Sequence, residues 1–283
     1  MRVMLLRVNI SVRRHWIANS VILSFGISAI LLALHLHSKA MSLTAKNTAD
    51  AKLQTTEKLS VDDGRPLAEA ILLLESKFGS VITYEDPAYV YSGDISDVTE
   101  SVRRDLDKFE PGKAPRVLVP KGGKFDFVVI HHANGTGDEG RTLEKLVSDY
   151  GLVARSSRFR IERARDAFHV IPVLVRNAAG RLTPQAPVLD ARITFSTKER
   201  TGFQEIQDFC AEVSRVTRKQ VVMGNVPNRF AGYKDNYGIP TTTNARVALA
   251  QILKRLESGR RLSWRLLYDP GMKIFVLNIH SVG

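Results

Sequence analysis

The side chains best suited to chemistry are few, and most lie in the middle of the chain. His131 and His132 stand close to Asp138 and Glu139, all of them types that bind metal ions. Neighbouring residues on a strand point to opposite faces, so one ion cannot easily collect both histidines. Zinc also asks for three or four converging ligands. The simpler reading is a strand end running into the turn Asn134-Gly135-Thr136-Gly137, with no metal and no cofactor expected. Gly122-Gly123-Lys124 lacks the further glycine and the Ser/Thr of a phosphate-binding loop, and it falls between strand-like runs, so it reads as a turn. Neither a Gly-x-Ser-x-Gly elbow nor a His-Glu-x-x-His pair occurs. Asp62-Asp63 and the pair Asp94, Asp97 have the look of paired carboxylates, but caps and turns account for them. No catalytic, cofactor-binding or metal-binding residue is assigned from these patterns.

Other reactive or aromatic groups have equally plain explanations. The single cysteine, Cys210, cannot form an intramolecular disulfide, and Phe203, Ile206, Cys210 and Val213 share a helical stripe. A core position is expected for it, because no adjacent His or Lys would stabilise a thiolate. His169 and His280 each fall near the end of a closing strand, a correspondence expected from an internal repeat. Tyr84, Tyr89 and Tyr91 would make either an aromatic contact surface or half-buried strand positions. In Arg261-Leu262-Ser263-Trp264-Arg265 a core-facing tryptophan between solvated charges is expected, in preference to a stacking platform for single-stranded nucleic acid.

Composition sets the frame in which these groups must be positioned. The chain has 283 residues, 44% hydrophobic and 25% charged, which excludes a disordered chain and allows one or two ordinary cores. Its net charge of +12 includes clusters at Arg158–Arg165, Arg215–Lys219 and Lys254–Arg265. Such an excess suits anionic lipid or cell-wall polymer, or an ordinary soluble surface. Nucleic acid is not expected as a partner, because the N-terminus points to export.

That terminus carries Arg2, Arg7, Arg13 and Arg14, and no acid precedes Asp50. From Trp16 to Ser38 there is no charged residue, a span long enough to cross a bilayer as a helix. The length of Trp16–His37 favours an uncleaved anchor over a cleaved signal, although Ser38-Lys39-Ala40 would permit cleavage near Ala40. In either case the basic flank stays inside and the body is translocated. Ser11-Val12-Arg13-Arg14 is a poor match to a twin-arginine signal and serves better as topogenic charge.

The remainder falls into two copies of one pattern. Residues 1–40 are the anchor or signal and 41–56 a polar linker. The first copy, 57–175, opens with a strand at Lys58–Val61. A helix follows from Pro66, with Leu67, Ala70, Ile71, Leu74 and Phe78 inward and a stop at Gly79, and then a strand at Val81–Tyr84. After an insert at 88–140 come a helix at Arg141–Tyr150, closed by Gly151, and a hairpin of Arg158–Arg163 with Phe168–Leu174. Within the insert, Arg116–Val119 and Phe125–Ile130 are strand-like. Residues 176–190 form a second linker. The second copy, 191–283, has a strand at Ala191–Phe195, a helix at Gly202–Val216 and a strand at Gln220–Met223. A helix at Asn244–Leu256 is capped by Asn244 and buries Val247, Leu249, Ile252, Leu253 and Leu256. The hairpin Leu262–Tyr268 and Ile274–Ile279 closes the copy. Leu74 and Leu253 are expected on equivalent core faces. The fold class is therefore α+β: an N-terminal transmembrane or signal helix, then two small β-α-β…α-β-β domains.

Arg65-Pro66-Leu67-Ala68-Glu69-Ala70 through Phe78-Gly79, followed by Val81–Tyr84 and Asp86-Pro87, resembles the opening of the secretin and TonB-receptor N-terminal short domain. Leu143–Leu152 with Phe159–Ile161 is similar to the later part of that domain. In the second copy Ala248-Leu249 to Leu253, Leu262-Ser263-Trp264 and Ile274–Ile279 match the same later part, while Gly202–Val216 matches the opening only loosely. The likeness covers about two thirds of the region after the anchor, and the 88–140 insert is foreign to it. It implies a periplasmic protein-interaction module without catalysis or cofactor; with no barrel-length region in the sequence, neither a secretin pore nor an outer-membrane receptor is expected. The functional expectation is a non-enzymatic, membrane-anchored bacterial envelope protein that binds another envelope protein. The alternative is an exported hydrolase or metal-dependent enzyme with its site in the 88–140 insert, and no small-molecule substrate can be named.

Overall fold

A computed structural model describes residues 55–132, 137–154, 156–232 and 234–283, so the expected anchor at Trp16–His37 and nearly all of the 41–56 linker lie outside the described residues. Among the described residues no helix is long and apolar enough to cross a membrane. The fold is mixed α+β. Its elements are β1 (Thr55–Asp63), α1 (Pro66–Phe78), β2 (Val81–Glu85), β3 (Ile95–Asp97), α2 (Thr99–Val102), β4 (Leu118–Pro120), β5 (Gly123–His131), α3 (Glu139–Val153), β6 (Ser157–Arg163) and β7 (Ala167–Arg176). There follow β8 (Leu182–Pro184), β9 (Arg192–Thr201), α4 (Gly202–Thr217), β10 (Val221–Met223), β11 (Lys234–Asn244), α5 (Ala245–Leu256), β12 (Leu262–Asp269) and β13 (Ile274–Ser281).

Strand pairing repeats along the chain. In the first half β2 lies parallel to β7, and β7 antiparallel to β6; in the second half β10 lies parallel to β13, and β13 antiparallel to β12. Each half adds a separate two-stranded ribbon, β1 with β5 and β9 with β11. The unit is thus β-α-β-β-α-β-β. β5 belongs to this unit and not to an insert, so what distinguishes the first half is the longer stretch between β2 and β5, which holds β3, α2 and β4. β11 has no counterpart among the sequence expectations. Its run Gly238-Ile239-Pro240-Thr241-Thr242 hides a strand because a glycine and a proline interrupt the alternation. Gly238 takes φ 156° at a register break opposite Thr197, where a Cβ would meet the Thr197 backbone.

The two three-stranded units join into one sheet, ordered β10-β13-β12-β2-β7-β6, because β12 lies parallel to β2. Trp264 and Leu266 on β12 pack with α4 and α5, whereas the next residue, Leu267, packs with α1 and α3. Alternate β12 residues therefore face two different cores, and the helices of the two halves cover opposite faces of the sheet. Residues 176–190, expected as a linker, are built into the structure: Val188 and Leu189 are fully buried in the second core, and β8 pairs with β7.

Helix ends follow local chemistry. Gly79 closes α1 with φ 63°. Asp138 caps α3 and Asn244 caps α5 through side-chain oxygens, and Thr201 with Gln204 forms a reciprocal capping box on α4. Gly151 does not end α3, which runs two residues further to Val153. The Tyr150 ring is held edge-on by Phe125 and Phe159, and that packing outweighs the weak helix propensity of glycine. Leu74 and Leu253 are both buried, but in different cores and on non-equivalent helices, α1 and α5. Val247, expected inside, is 47% exposed.

Candidate functional site

A cavity of about 1140 Å³ forms a cleft between α5 and the face of β2, β7 and β6 that the first half leaves uncovered. Val81, Leu253 and Trp264 contribute apolar floor, and Val247 lies on its α5 wall. The rim is mixed in charge, with Arg160, Arg163, Lys254 and Arg261 against Glu162, Asp166, Asp190 and Glu257.

Arg246 anchors one end of this cleft. Its guanidinium lies 3.1 Å from Glu85, 2.5 Å from Asp190 and 3.6 Å from Glu162. Glu85 is completely buried and also accepts the Val188 backbone N–H. Burial pushes the Glu85 carboxyl above the usual range, opposed by Arg246. One buried cation therefore ties α5 of the second half to β2 and β6 of the first and to the segment joining them.

His169 lies in the same cleft wall. Its Nδ1 is 2.7 Å from the Thr83 hydroxyl, and its ring stacks on Trp264 at 6.2 Å. Burial, helped by the positive charge of Arg246, lowers its pKa from 6.5 to about 4, against an opposing pull from Glu162. Between those values the unfolded chain binds a proton that the native chain refuses. This contribution is complete above pH 6.5 and is lost as the pH falls toward 4. Replacing His169 with Asn, which can still pair with Thr83, should therefore improve stability relative to the parent by up to roughly 3 kcal/mol between pH 7 and pH 4.5. Urea denaturation across that range checks it; a parent–variant difference that does not change with pH would contradict the assignment.

Compared with family models, curated proteins and solved structures, the chain matches none.

The residues singled out in the sequence are dispersed. His131 lies 3.2 Å from Glu57, Asp138 caps α3, and Glu139 accepts the Ser80 hydroxyl at 2.7 Å. Among the described residues no group of three His, Cys, Asp or Glu side chains could hold a metal ion. Gly122 makes a turn tight against the Asp63–Gly64 backbone, with no room for a Cβ. Asp63 accepts the Arg65 N–H and Asp97 the Thr99 N–H, both as local turn contacts two residues on, while Asp94 pairs with Arg176 at 3.0 Å. Cys210 is buried, and desolvation pushes its thiol up to about 12. Tyr84 is buried, its hydroxyl and that of Tyr89 converge on Asp86, Tyr89 also packs on Tyr268, and Tyr91 lies under Arg176, so the three make no common exposed face.

Two readings are corrected by the pairing. His169 stands opposite Thr83 on β2, the place taken in the second half by Val276 opposite Val222; His280 lies opposite Ser263 and 2.8 Å from Glu75. The two histidines are not repeat equivalents. Trp264 does face a core, but Arg265 is not solvated: its side chain is 12% exposed and lies 3.7 Å from Glu75. The cleft residues Glu85, Arg246 and Asp190 were not singled out in the sequence. The available signal was an acid ending the otherwise uncharged run Val81-Ile82-Thr83-Tyr84-Glu85, a strand buried at every position.

Proposed function

We propose that the chain is a non-enzymatic envelope protein, anchored by Trp16–His37 or released by cleavage near Ala40, whose body binds another envelope protein in the cleft beside α5. The likeness of residues 65–87 and 143–161 to the secretin and TonB-receptor short domain supports an interaction role on the periplasmic side. The observation that carries the reading is the cleft: an apolar floor about Val81 and Trp264 with charges of both signs at its rim. Such a surface suits an extended protein segment, whose apolar side chains would enter the floor while its polar groups meet the rim.

Two experiments test this. A periplasm-dependent reporter fused after residue 60 should be active; activity only from a cytoplasmic reporter would remove the export part. Copurification from native membranes should then recover a partner with the parent chain. Val247→Arg, at an exposed position on the cleft wall, should reduce that recovery at least tenfold without lowering the melting temperature. Unchanged recovery would place the partner elsewhere.

A further inference from the structure

The joint between the halves is head-to-tail, and among the described residues the same two edges recur unpaired at the ends of the sheet. Equivalent strands follow from the pairing: Phe168 opposite Ile82 corresponds to Phe275 opposite Val221, and Arg163 opposite Phe168 corresponds to Tyr268 opposite Phe275. Hence β2 corresponds to β10, β7 to β13 and β6 to β12. Inside the chain, the β2 edge of the first half receives the β12 edge of the second, with Tyr84 opposite Arg265 and Glu85 opposite Leu266. The sheet then ends on β10, the counterpart of β2, and on β6, the counterpart of β12.

From this we infer that copies of the chain associate head-to-tail, β10 of one against β6 of the next, repeating the joint already made within each chain. An interface between two different patches that leaves the same patches free at both ends propagates, closing as a ring or continuing as a filament according to the sheet twist. Relative to β2, β10 runs in the opposite direction, since β12 is parallel to β2 and antiparallel to β13. Two successive joints restore the starting direction, so every chain in such an array has the same orientation, as chains inserted in one membrane would.

Side chains at both edges fit this use. In the internal joint Glu75 accepts the Ile82 N–H at 2.9 Å, leaving the pairing to begin at Tyr84. In the second half Ser214 holds the equivalent Val221 N–H at 2.8 Å, so pairing there would begin at Met223. Met223 and Val222 are half-buried, and Val216 near the end of α4 is 39% exposed. At the opposite end Leu152 and Val153 are 81% and 67% exposed next to β6. Association would remove these apolar groups from water and cover two open strand edges. The internal register transfers directly: Met223 should face Arg160 of the neighbouring chain, and Gly224 should face Ile161.

Mixed cysteine cross-linking of the purified full chain in mild detergent tests this. Met223→Cys and Arg160→Cys are made as separate single variants; Cys210 is buried and should not react. The 1:1 mixture should give a disulfide dimer on mild oxidation, each single variant alone should give at least tenfold less, and the double variant should give a ladder. Lys113→Cys mixed with Met272→Cys, both exposed and remote from these edges, serves as the blank. Sedimentation of the unmodified chain should show mass rising with concentration. Dimers from a single variant alone would mean a two-fold contact and overturn the proposal, as would a mixture no better than the blank together with a concentration-independent monomer. Arg160 stands on both the β6 edge and the cleft rim, so the two readings are separated at Val247 on α5, which belongs to neither edge strand. Val247→Arg should remove the partner and leave the ladder, whereas loss of the ladder with it would overturn the edge-to-edge joint.

Discussion

Arg246→Met should cost about 3–5 kcal/mol, the size expected when one member of a buried ion pair is removed. The reason lies in what remains. Glu85 is fully buried and would keep only the backbone N–H groups of Val188 and Leu189 as donors, while Asp190 and Glu162 would be left with Arg160 alone of the two cations they share. Glu85, already raised by burial, would move further up in the folded state and hold a proton at a pH where the unfolded chain has released it. A native chain that binds a proton the unfolded chain lacks loses stability as the pH rises, so the defect should be largest at pH 8 and smaller at pH 5. The double variant Glu85→Gln, Arg246→Met should recover a large part of the loss, because the stranded charge is gone. Denaturant titrations of the three variants at both pH values decide the matter. A single variant as stable as the parent would mean that Arg246 does not bind the halves together.

The parts legible in the sequence were those fixed by local rules. The α1 helix could be read from Pro66 and from the spacing of Leu67, Ile71 and Leu74, and its stop from Gly79. The closing hairpin could be read from Asp269-Pro270-Gly271, where the Asp269 side chain accepts the N–H groups of Gly271 and Met272. Asn244 as a cap followed from its position before an apolar stripe. What escaped were pairings between distant segments. Strand β11 was obscured by Gly238 and Pro240, which are tolerated because the β9–β11 ribbon carries a register break there. Val247 was taken as buried because it continues the apolar stripe of α5, yet that side of α5 faces the cleft. The basic clusters read as free surface charge, whereas Arg215 pairs with Glu212, Arg255 with Glu205 and Arg265 with Glu75. The Arg215–Glu212 pair is local, three residues apart on α4, but nothing local announces the other two, since their partners are set by the packing of distant elements. The cleft itself was illegible for the same reason. It exists only because the halves cover opposite faces.

That arrangement also predicts how the molecule unfolds. Leu74→Ala, in the core of the first half, and Leu249→Ala, in the core of the second, should each cost about 2–5 kcal/mol, the range for deleting a fully buried leucine side chain. Both positions are wholly inaccessible, so neither loss can be relieved by water entering from the surface. Two independent domains joined by a linker would respond separately, each substitution lowering only its own transition. Here the halves share the β2–β12 pairing, the buried Arg246–Glu85 pair and the two faces of β12, whose Leu267 packs into the first core and Leu266 into the second. Opening either core would expose the edge and charges that hold the other, so one transition is expected for both variants. Trp264 reports on the second core, and replacing Trp16, the other tryptophan, with Phe leaves it as the sole fluorescence probe. In that background Leu74→Ala should shift the Trp264 fluorescence midpoint as far as the circular-dichroism midpoint, although Trp264 and Leu74 belong to different cores. A fluorescence midpoint that stays at the parent value while circular dichroism becomes biphasic would show that the halves fold as separate domains, and that the shared sheet adds little to either.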